Sequence, residues 1–314
     1  MSDDGRAAKR QRFSPSELEY VAPDDADADG HQARPSSSSR RPTSVAASLE
    51  PCLLNAEPFD EVMRHVADWI YRTARDYSNV EVEAKIGLLI DTSTGQRVSF
   101  PVLTETILDP SYDRVRFESN MSQAQHQHFN AMLNKLHATY KQPGYTGAQI
   151  DYQHVRVIDS FYPTGGPGRE KLRVSRDPTT NKTVESIIKR RIGDLNILCP
   201  SMNADWRVSV NVEDPVPEPP TGAKEDHQRN KDRISYTHQA FRIDLTQVKD
   251  SGSQGKQPPT HELEIEFAQG DELMRFASVR GDLSSPECDT FDELVRVFVN
   301  NCRLMIRNVV SRWD

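Results

Sequence analysis

Two segments, Val80-Glu81-Val82-Glu83-Ala84-Lys85-Ile86 and His261-Glu262-Leu263-Glu264-Ile265-Glu266-Phe267, alternate charged and apolar side chains. In an extended chain successive side chains point to opposite faces, so each segment reads as a strand with its acids in one row. Carboxylates two residues apart on a strand lie roughly 6–7 Å from one another, so each row repels itself. Such rows become favourable in water, beside fixed cations, or around a metal ion.

The intervening sequence supplies the cations. Lys171/Arg173, Lys189/Arg191 and Lys231/Arg233 form basic rows at the same two-residue spacing, and Arg242/Asp244/Thr246 and Arg207/Ser209/Asn211/Glu213 form mixed ones. A solvated sheet face usually mixes its polar residues without organisation. A sheet closed with these faces inward would set acidic rows against basic ones and make a tunnel lined with both signs. Clustered carboxylates hold a hard divalent cation, Mg²⁺ or Mn²⁺, through oxygen. Lys and Arg opposite them neutralise phosphate oxygens, so together the rows suit a polyphosphate chain, with a remaining carboxylate to orient a water. The bland reading is an outer face of cross-strand ion pairs, each contributing about 0–1 kcal/mol. It suits a single Glu-x-Glu but not sign sorting on several strands.

The elements that must carry these rows are legible from periodicity. Phe59, Val62, Met63, Val66, Trp69 and Ile70 predict a helix over 58–76. A second helix, over 123–140, opens with Ser122 and Gln125 in capping-box order, and a third, over 291–311, with Thr290 and Glu293. His126 and His128, two residues apart on the second helix, do not face each other, and the spacing predicts solvated histidines rather than metal ligands. From about 150 to 267 the chain reads as strands, at 155–162, 169–176, 184–192, 207–213, 231–236, 241–246 and 261–267. Turn chemistry at Asp177-Pro178-Thr179-Thr180-Asn181, at 214–220 and at 251–259 separates them. With the Glu81 strand this predicts a mainly β, α+β architecture: an antiparallel sheet that curls or closes, with helices as packing elements.

Composition bounds the rest. Of 314 residues, 36% are hydrophobic, enough for a core. Residues 1–50, rich in Ser, Asp, Ala, Arg and Pro, read as a disordered tail, and 51–314 as one catalytic domain. The polar N-terminus argues against secretion, and there is no apolar run long enough for a membrane span. Four scattered cysteines without a CxxC pair fit a reducing compartment and argue against zinc. Lys9-Arg10-Gln11-Arg12 and Arg40-Arg41 are clusters that import receptors or polyanions read, and that equally keep a tail soluble. The net charge of −8 argues against a protein that coats itself in nucleic acid, while leaving room for a small buried basic site.

At this point the residues resemble a family. Glu81-Val82-Glu83-Ala84-Lys85 with Glu262-Leu263-Glu264-Ile265-Glu266 is similar to the paired glutamate signature of the metal-dependent RNA 5′-triphosphatases, the beta subunit of the fungal-type mRNA-capping enzyme. Asp159, Arg173, Lys189-Arg190-Arg191-Ile192, Arg207-x-Ser209 leading to Glu213, Lys231-x-Arg233 and Arg242-x-Asp244-x-Thr246 follow in the family's order, across about 55–310. The resemblance implies a triphosphate tunnel, an eight-stranded antiparallel barrel resting on helices. It implies hydrolysis of the γ-phosphate of nascent mRNA to a diphosphate end, the first step of 5′ capping, in the nucleus.

Carried over residue by residue, Glu81, Glu83 and Glu266 would ligate Mg²⁺ or Mn²⁺, with Glu262 and Glu264 in support. Arg173, Lys231 and Arg233 would clamp the γ-phosphate, and Glu213 would orient the water. Lys189, Arg191, Arg242, Asp244 and Thr246 would line and brace the tunnel, and Lys85 would pair with the acids. The resemblance also implies a homodimer, for which the apolar N- and C-terminal helices could supply the interface. The tail has no Trp-containing segment of the kind that docks the guanylyltransferase in some members, so recruitment could instead run through the transcription machinery. The rival readings are a tunnel phosphohydrolase of tripolyphosphate or a small triphosphate, and a non-enzymatic module that holds a charged peptide.

Overall fold

A strand with one apolar and one charged face can bury the first under helices and enclose the second only if the sheet closes on itself. The computed structural model, which describes residues 52–55, 58–164, 170–251 and 258–313, has that arrangement. The tail predicted over 1–50, with its basic clusters, lies outside the described residues. In chain order the elements are α1 (Glu61–Ala74), β1 (Val80–Asp91), β2 (Thr106–Ile107), β3 (Val115–Glu118), α2 (Gln123–Tyr140), β4 (Ile150–Pro163) and β5 (Lys171–Arg176). They continue with β6 (Thr183–Leu198), β7 (Asp205–Pro215), β8 (His227–His238), β9 (Phe241–Asp250), β10 (Thr260–Phe267), α3 (Gly270–Ser278) and α4 (Thr290–Arg307).

Antiparallel pairing runs β1-β7-β6-β5-β4-β8-β9-β10, and β10 returns to β1 with Glu83 opposite Glu266. This closes an eight-stranded antiparallel barrel; β3 hangs from β1 and β2 from β6. The turn predicted at 177–181 joins β5 to β6: the Asp177 carboxylate accepts from the Thr179 and Thr180 amides at 2.9 and 2.6 Å, and Asn181 takes φ 55°. Asn tolerates that left-handed conformation better than most residues.

The apolar faces of β1, β7 and β10 point outward. Val82, Ala84, Ile86, Val208, Val210, Leu263 and Ile265 are fully buried in the main core. α4 lies on β1, β7 and β10, and α1 packs on α4, β6 and β7. α4 contributes Phe291, Val295, Phe298, Val299 and Cys302, all fully buried. At about 1.5–3 kcal/mol for each large apolar side chain buried, this layer holds the glutamate-bearing wall rigid from behind. The apolar stripes of α1 and α4 pack here, on the barrel and on each other. At the far end of the same wall Asp205, fully buried, accepts from the Leu89 and Cys199 amides at 3.0 and 2.9 Å and pairs with Arg97 at 2.6 Å, which pins β1 to β7.

Helix ends differ from the periodicity. α1 begins at its Asp60 cap, which accepts from the Met63 amide at 3.0 Å, and leaves Phe59 70% exposed outside the helix. The Ser122/Gln125 capping box of α2 forms as predicted. That predicted at Thr290/Glu293 does not: Asp289 precedes α4 without a side-chain cap, and Glu293 pairs with Arg296 at 2.7 Å. α3, at nine residues, is too short for its periodicity to stand out. His126 and His128 are half-buried rather than freely solvated. His126 stacks edge-on against His261 with centroids 4.7 Å apart, tying α2 to β10, and His128 bonds the Asn308 carbonyl at 2.9 Å. Among the described residues no helix is long and apolar enough to cross a membrane.

Candidate active site

Because side chains alternate, the charged rows turn toward the barrel interior, where a cavity of about 900 Å³ opens. It is lined by Glu81 and Glu83 from β1 and by Glu262, Glu264 and Glu266 from β10. Arg173 comes from β5, Lys189 and Arg191 from β6, Glu213 from β7, Lys231 and Arg233 from β8, and Arg242 and Thr246 from β9. Lys85 and Asp159 share the lining, whereas Asp244 does not reach it. Asp244 is fully buried beneath the cations it braces, 2.9 Å from Arg233 and 3.5 Å from Arg242.

Each row of acids meets a cation. Lys85 lies 2.6 Å from Glu264 and 3.1 Å from Glu262. Lys189 bonds Glu81 and lies 3.3 Å from Glu213 and 4.0 Å from Glu83, while Arg242 bonds Glu266. Arg173 pairs with Glu185 at 2.8 Å and Glu213 at 3.4 Å. Lys231 reaches Asp159 at 2.7 Å, whose other oxygen accepts from Ser175 at 2.6 Å, and Arg233 reaches Glu264 at 3.4 Å.

Proton affinities follow from this crowding. Burial by itself would lower the Lys85 ammonium, but Glu264, Glu262 and Glu83 outweigh it and hold the group above the usual lysine range. Lys189 is raised in the same way against its burial by Glu83, Glu81 and Glu213. Burial would raise Glu264, yet Lys85 and Arg233 hold it well below the carboxylate range. Glu266 goes the other way: burial, added to by Glu81, Asp244 and Glu264, pushes it up to about 8 against the pull of Arg242. Lys231 is lowered by burial and by Arg173 and Arg233, with Asp159 opposing.

A β-bulge adds residues that alternation did not assign. Pairing of β6 with β7 shifts between Arg191 and Gly193, so Ile192 is the extra residue. The shift turns Asp194 and Asn196 to the face that already carries Lys189 and Arg191. There Asp194 accepts from Ser209 at 2.7 Å and pairs with Arg191 and Arg207, each at 3.3 Å, and Asn196 accepts from Arg207 at 2.8 Å. Gly193 seats the bulge under α1, since a Cβ there would lie 3.2 Å from the Trp69 ring and 3.3 Å from Thr73. Asn211 bridges Glu81 and Glu83 at 2.9 and 3.1 Å, and Glu185 partners Arg173. The parity of Asn211 with Glu213 was the signal that could have singled it out; nothing in the sequence marked Asp194 as inward.

The oxygen-only donor set suits a hard divalent cation. Glu83 and Glu266 are direct cross-strand partners with Glu81 one step along, and like charges so opposed are destabilising unless compensated. Among the described residues no three carboxylates converge at ligand spacing, and Glu81 and Glu266 are paired with Lys189 and Arg242 instead. The buried Glu266 Oε1 has that ion pair but no well-formed hydrogen bond. Glu81, Glu83 and Glu266 therefore fit a cation that takes the place of these pairings.

Residues 56–311 match the model of the family described as mRNA capping enzyme, beta chain. The chain belongs to that family. Among the curated relatives of this capping-enzyme beta-chain member, the mRNA-capping enzyme subunit beta of Schizosaccharomyces pombe is 34% identical over 272 residues, 85% of this chain and 88% of that one. The Cryptococcus neoformans subunit is 32% identical over 274 residues, 86% of this chain and 67% of its own. The solved structure of S. pombe Pct1 RNA triphosphatase superposes with a TM-score of 0.76 at 32% identity, over 83% of this chain and 98% of that one. A second Pct1 structure, in complex with the Spt5 CTD, gives the same TM-score and covers 99% of the solved chain. The barrel is thus the triphosphate tunnel fold. As a beta-chain member the protein is an mRNA 5′-triphosphatase, a hydrolase that acts on the 5′-triphosphate end of RNA in capping.

Proposed function

We propose that the tunnel removes the γ-phosphate of nascent mRNA by metal-assisted attack of water, with the residues named above as its machinery. The observation that carries this assignment is the sorting of charge within one cavity: Glu81, Glu83 and Glu266 on the β1/β10 wall face Arg173, Lys231 and Arg233 on the other. Arg173, Lys231 and Arg233 clamp the γ-phosphate, releasing their carboxylate partners as phosphate oxygens arrive. Glu81, Glu83 and Glu266 would hold Mg²⁺ or Mn²⁺, supported by Glu262 and Glu264, both of which pair with Lys85. When bound, such a cation polarises the phosphoryl group and neutralises charge that builds up on it.

Glu213, hydrogen-bonded to Arg173, orients a water for in-line attack and receives its proton. A bond forms from the water oxygen to the γ-phosphorus as the bond to the β–γ bridging oxygen breaks. The electron pair stays on the β-phosphate, leaving phosphate and a diphosphate end. Lys189 and Arg191 steady the acids, Asp244 and Thr246 brace Arg233 and Arg242, and Asp159 positions Lys231.

Capping takes place on nascent transcripts, so the enzyme works in the nucleus. The S. pombe Pct1 structure with the Spt5 CTD supports recruitment of this chain through the transcription machinery, and the capping-subunit name of its relatives supports action alongside a guanylyltransferase. We also propose a homodimer, on the family resemblance alone. The decisive experiment is γ-phosphate release from triphosphate-ended RNA with Mg²⁺, using the full chain and its Glu83→Ala and Glu264→Ala variants. Metal-dependent turnover lost in both folded variants is the expected result. Hydrolysis of tripolyphosphate without hydrolysis of RNA would defeat the assignment.

A further inference from the structure

One end of the cavity carries rings among its charged side chains. Phe161 on β4 is the direct partner of His227 on β8 and of Arg173 on β5, so it shares a rung with the phosphate clamp. The Phe161 and His227 rings lie parallel, 2° apart in plane with centroids 4.4 Å apart, and the Arg229 guanidinium lies 5.3 Å from the Phe161 centroid. All three line the cavity; Phe161 lies two residues along its strand from Asp159, and Arg229 and His227 lie two and four from Lys231. An inward Phe does nothing for phosphate, and it faces the channel rather than the helix-covered core.

The opposite end belongs to Glu213. A second opening of about 390 Å³ is lined by Glu81, Glu213, Arg242 and Glu266 together with Asn79 and Gln269, and neither Phe161 nor His227 reaches it. In-line displacement sets the attacking water and the leaving oxygen on opposite sides of the γ-phosphorus. With the water on the Glu213 side, the β- and α-phosphates and the first nucleoside extend toward Phe161 and His227.

We infer that the Phe161–His227 stack is the subsite for the first nucleobase of the RNA, extended by that base, with Arg229 beside it for the phosphate that follows. Every base offers a π-face, so a stacking platform accepts any 5′ nucleotide, and it distinguishes an RNA end from bare polyphosphate. The inference rests on the roles proposed for Glu213 and Arg173.

The test compares full-length wild-type protein with Phe161→Leu and His227→Leu, measuring turnover of triphosphate-ended RNA and competition by tripolyphosphate. The expected result is a KM for RNA about tenfold higher, equivalent to about 1.4 kcal/mol, with the inhibition constant of tripolyphosphate unmoved. An RNA whose first residue lacks a base should raise the wild-type KM similarly and leave F161L nothing further to lose. An unchanged KM, or an equal rise for RNA and tripolyphosphate as a packing role would give, overturns the subsite. So does a selective rise in Gln269→Ala, which would put the nucleoside at the other opening. Full turnover by Glu213→Gln would instead strike at the role of Glu213, and so separates failure of the underlying mechanism from failure of the subsite.

Discussion

Glu83 on β1 and Glu266 on β10 stand directly opposite each other across the seam that closes the barrel. A seam of like charges costs stability, so its retention marks a site built for a cation rather than for folding. Burial already pushes Glu266 up to about 8, and Glu266→Gln keeps a side-chain oxygen to accept from Arg242, so the substitution takes little from the fold. The variant should melt no lower than the wild type while losing on the order of 100-fold or more in kcat. Calorimetry and phosphate release check the two halves; a variant that melts much lower and keeps turnover would make Glu266 a structural residue.

The His126–His261 contact predicts a pH-dependent stability. Burial, with His261 beside it, holds His126 down at about 4, and burial lowers His261. Both are neutral in the fold and take up protons more readily when unfolded. The unfolded chain therefore binds the excess protons between about pH 6.5 and 4, and stability falls as pH falls through that window. Allowing for solvent screening, the loss due to His126 is about 1–2 kcal/mol. Urea unfolding at pH 7.5 and 5 should show it, and His126→Gln should flatten the difference; a variant as acid-sensitive as the wild type would refute this.

Gly193 is tight enough for a single methyl to matter. Gly193→Ala should push on Trp69 and Thr73 of α1 and cost about 1–3 kcal/mol, lowering the melting temperature by several degrees. Because the same bulge aims Asp194 at Arg191, kcat should also fall. A variant with unchanged melting would mean that α1 shifts freely.

Binding of long RNA should depend only weakly on salt. The described cations of the clamp lie inside the barrel, and the net charge of −8 repels the rest of the polyanion. Affinity measured between 50 and 200 mM salt with triphosphate-ended RNAs of increasing length should give a shallow slope that does not grow with length. A steep, length-dependent slope would show extended backbone contact.

Glu81/Glu83, Glu262/Glu264/Glu266 and the Lys/Arg rows were legible in the sequence because a strand's period of two sorts side chains by face, and that sorting survives in one dimension. The closure of the sheet was suggested by the need of each acidic row for a cation, and the order of the motifs identified the family. Other features depend on which strands become neighbours. The opposition of Glu83 and Glu266 exists only because β10 returns to β1, and Asp194 turns inward only because a bulge at Ile192 breaks the alternation. Asp244 has the parity of a lining residue but is covered by Arg233 and Arg242, and His126 is taken from solvent by a histidine 135 positions away. Periodicity records which face a side chain leaves by; what it meets there is set by long-range pairing, and in this protein that pairing turned two rows of repelling glutamates into one wall of a tunnel.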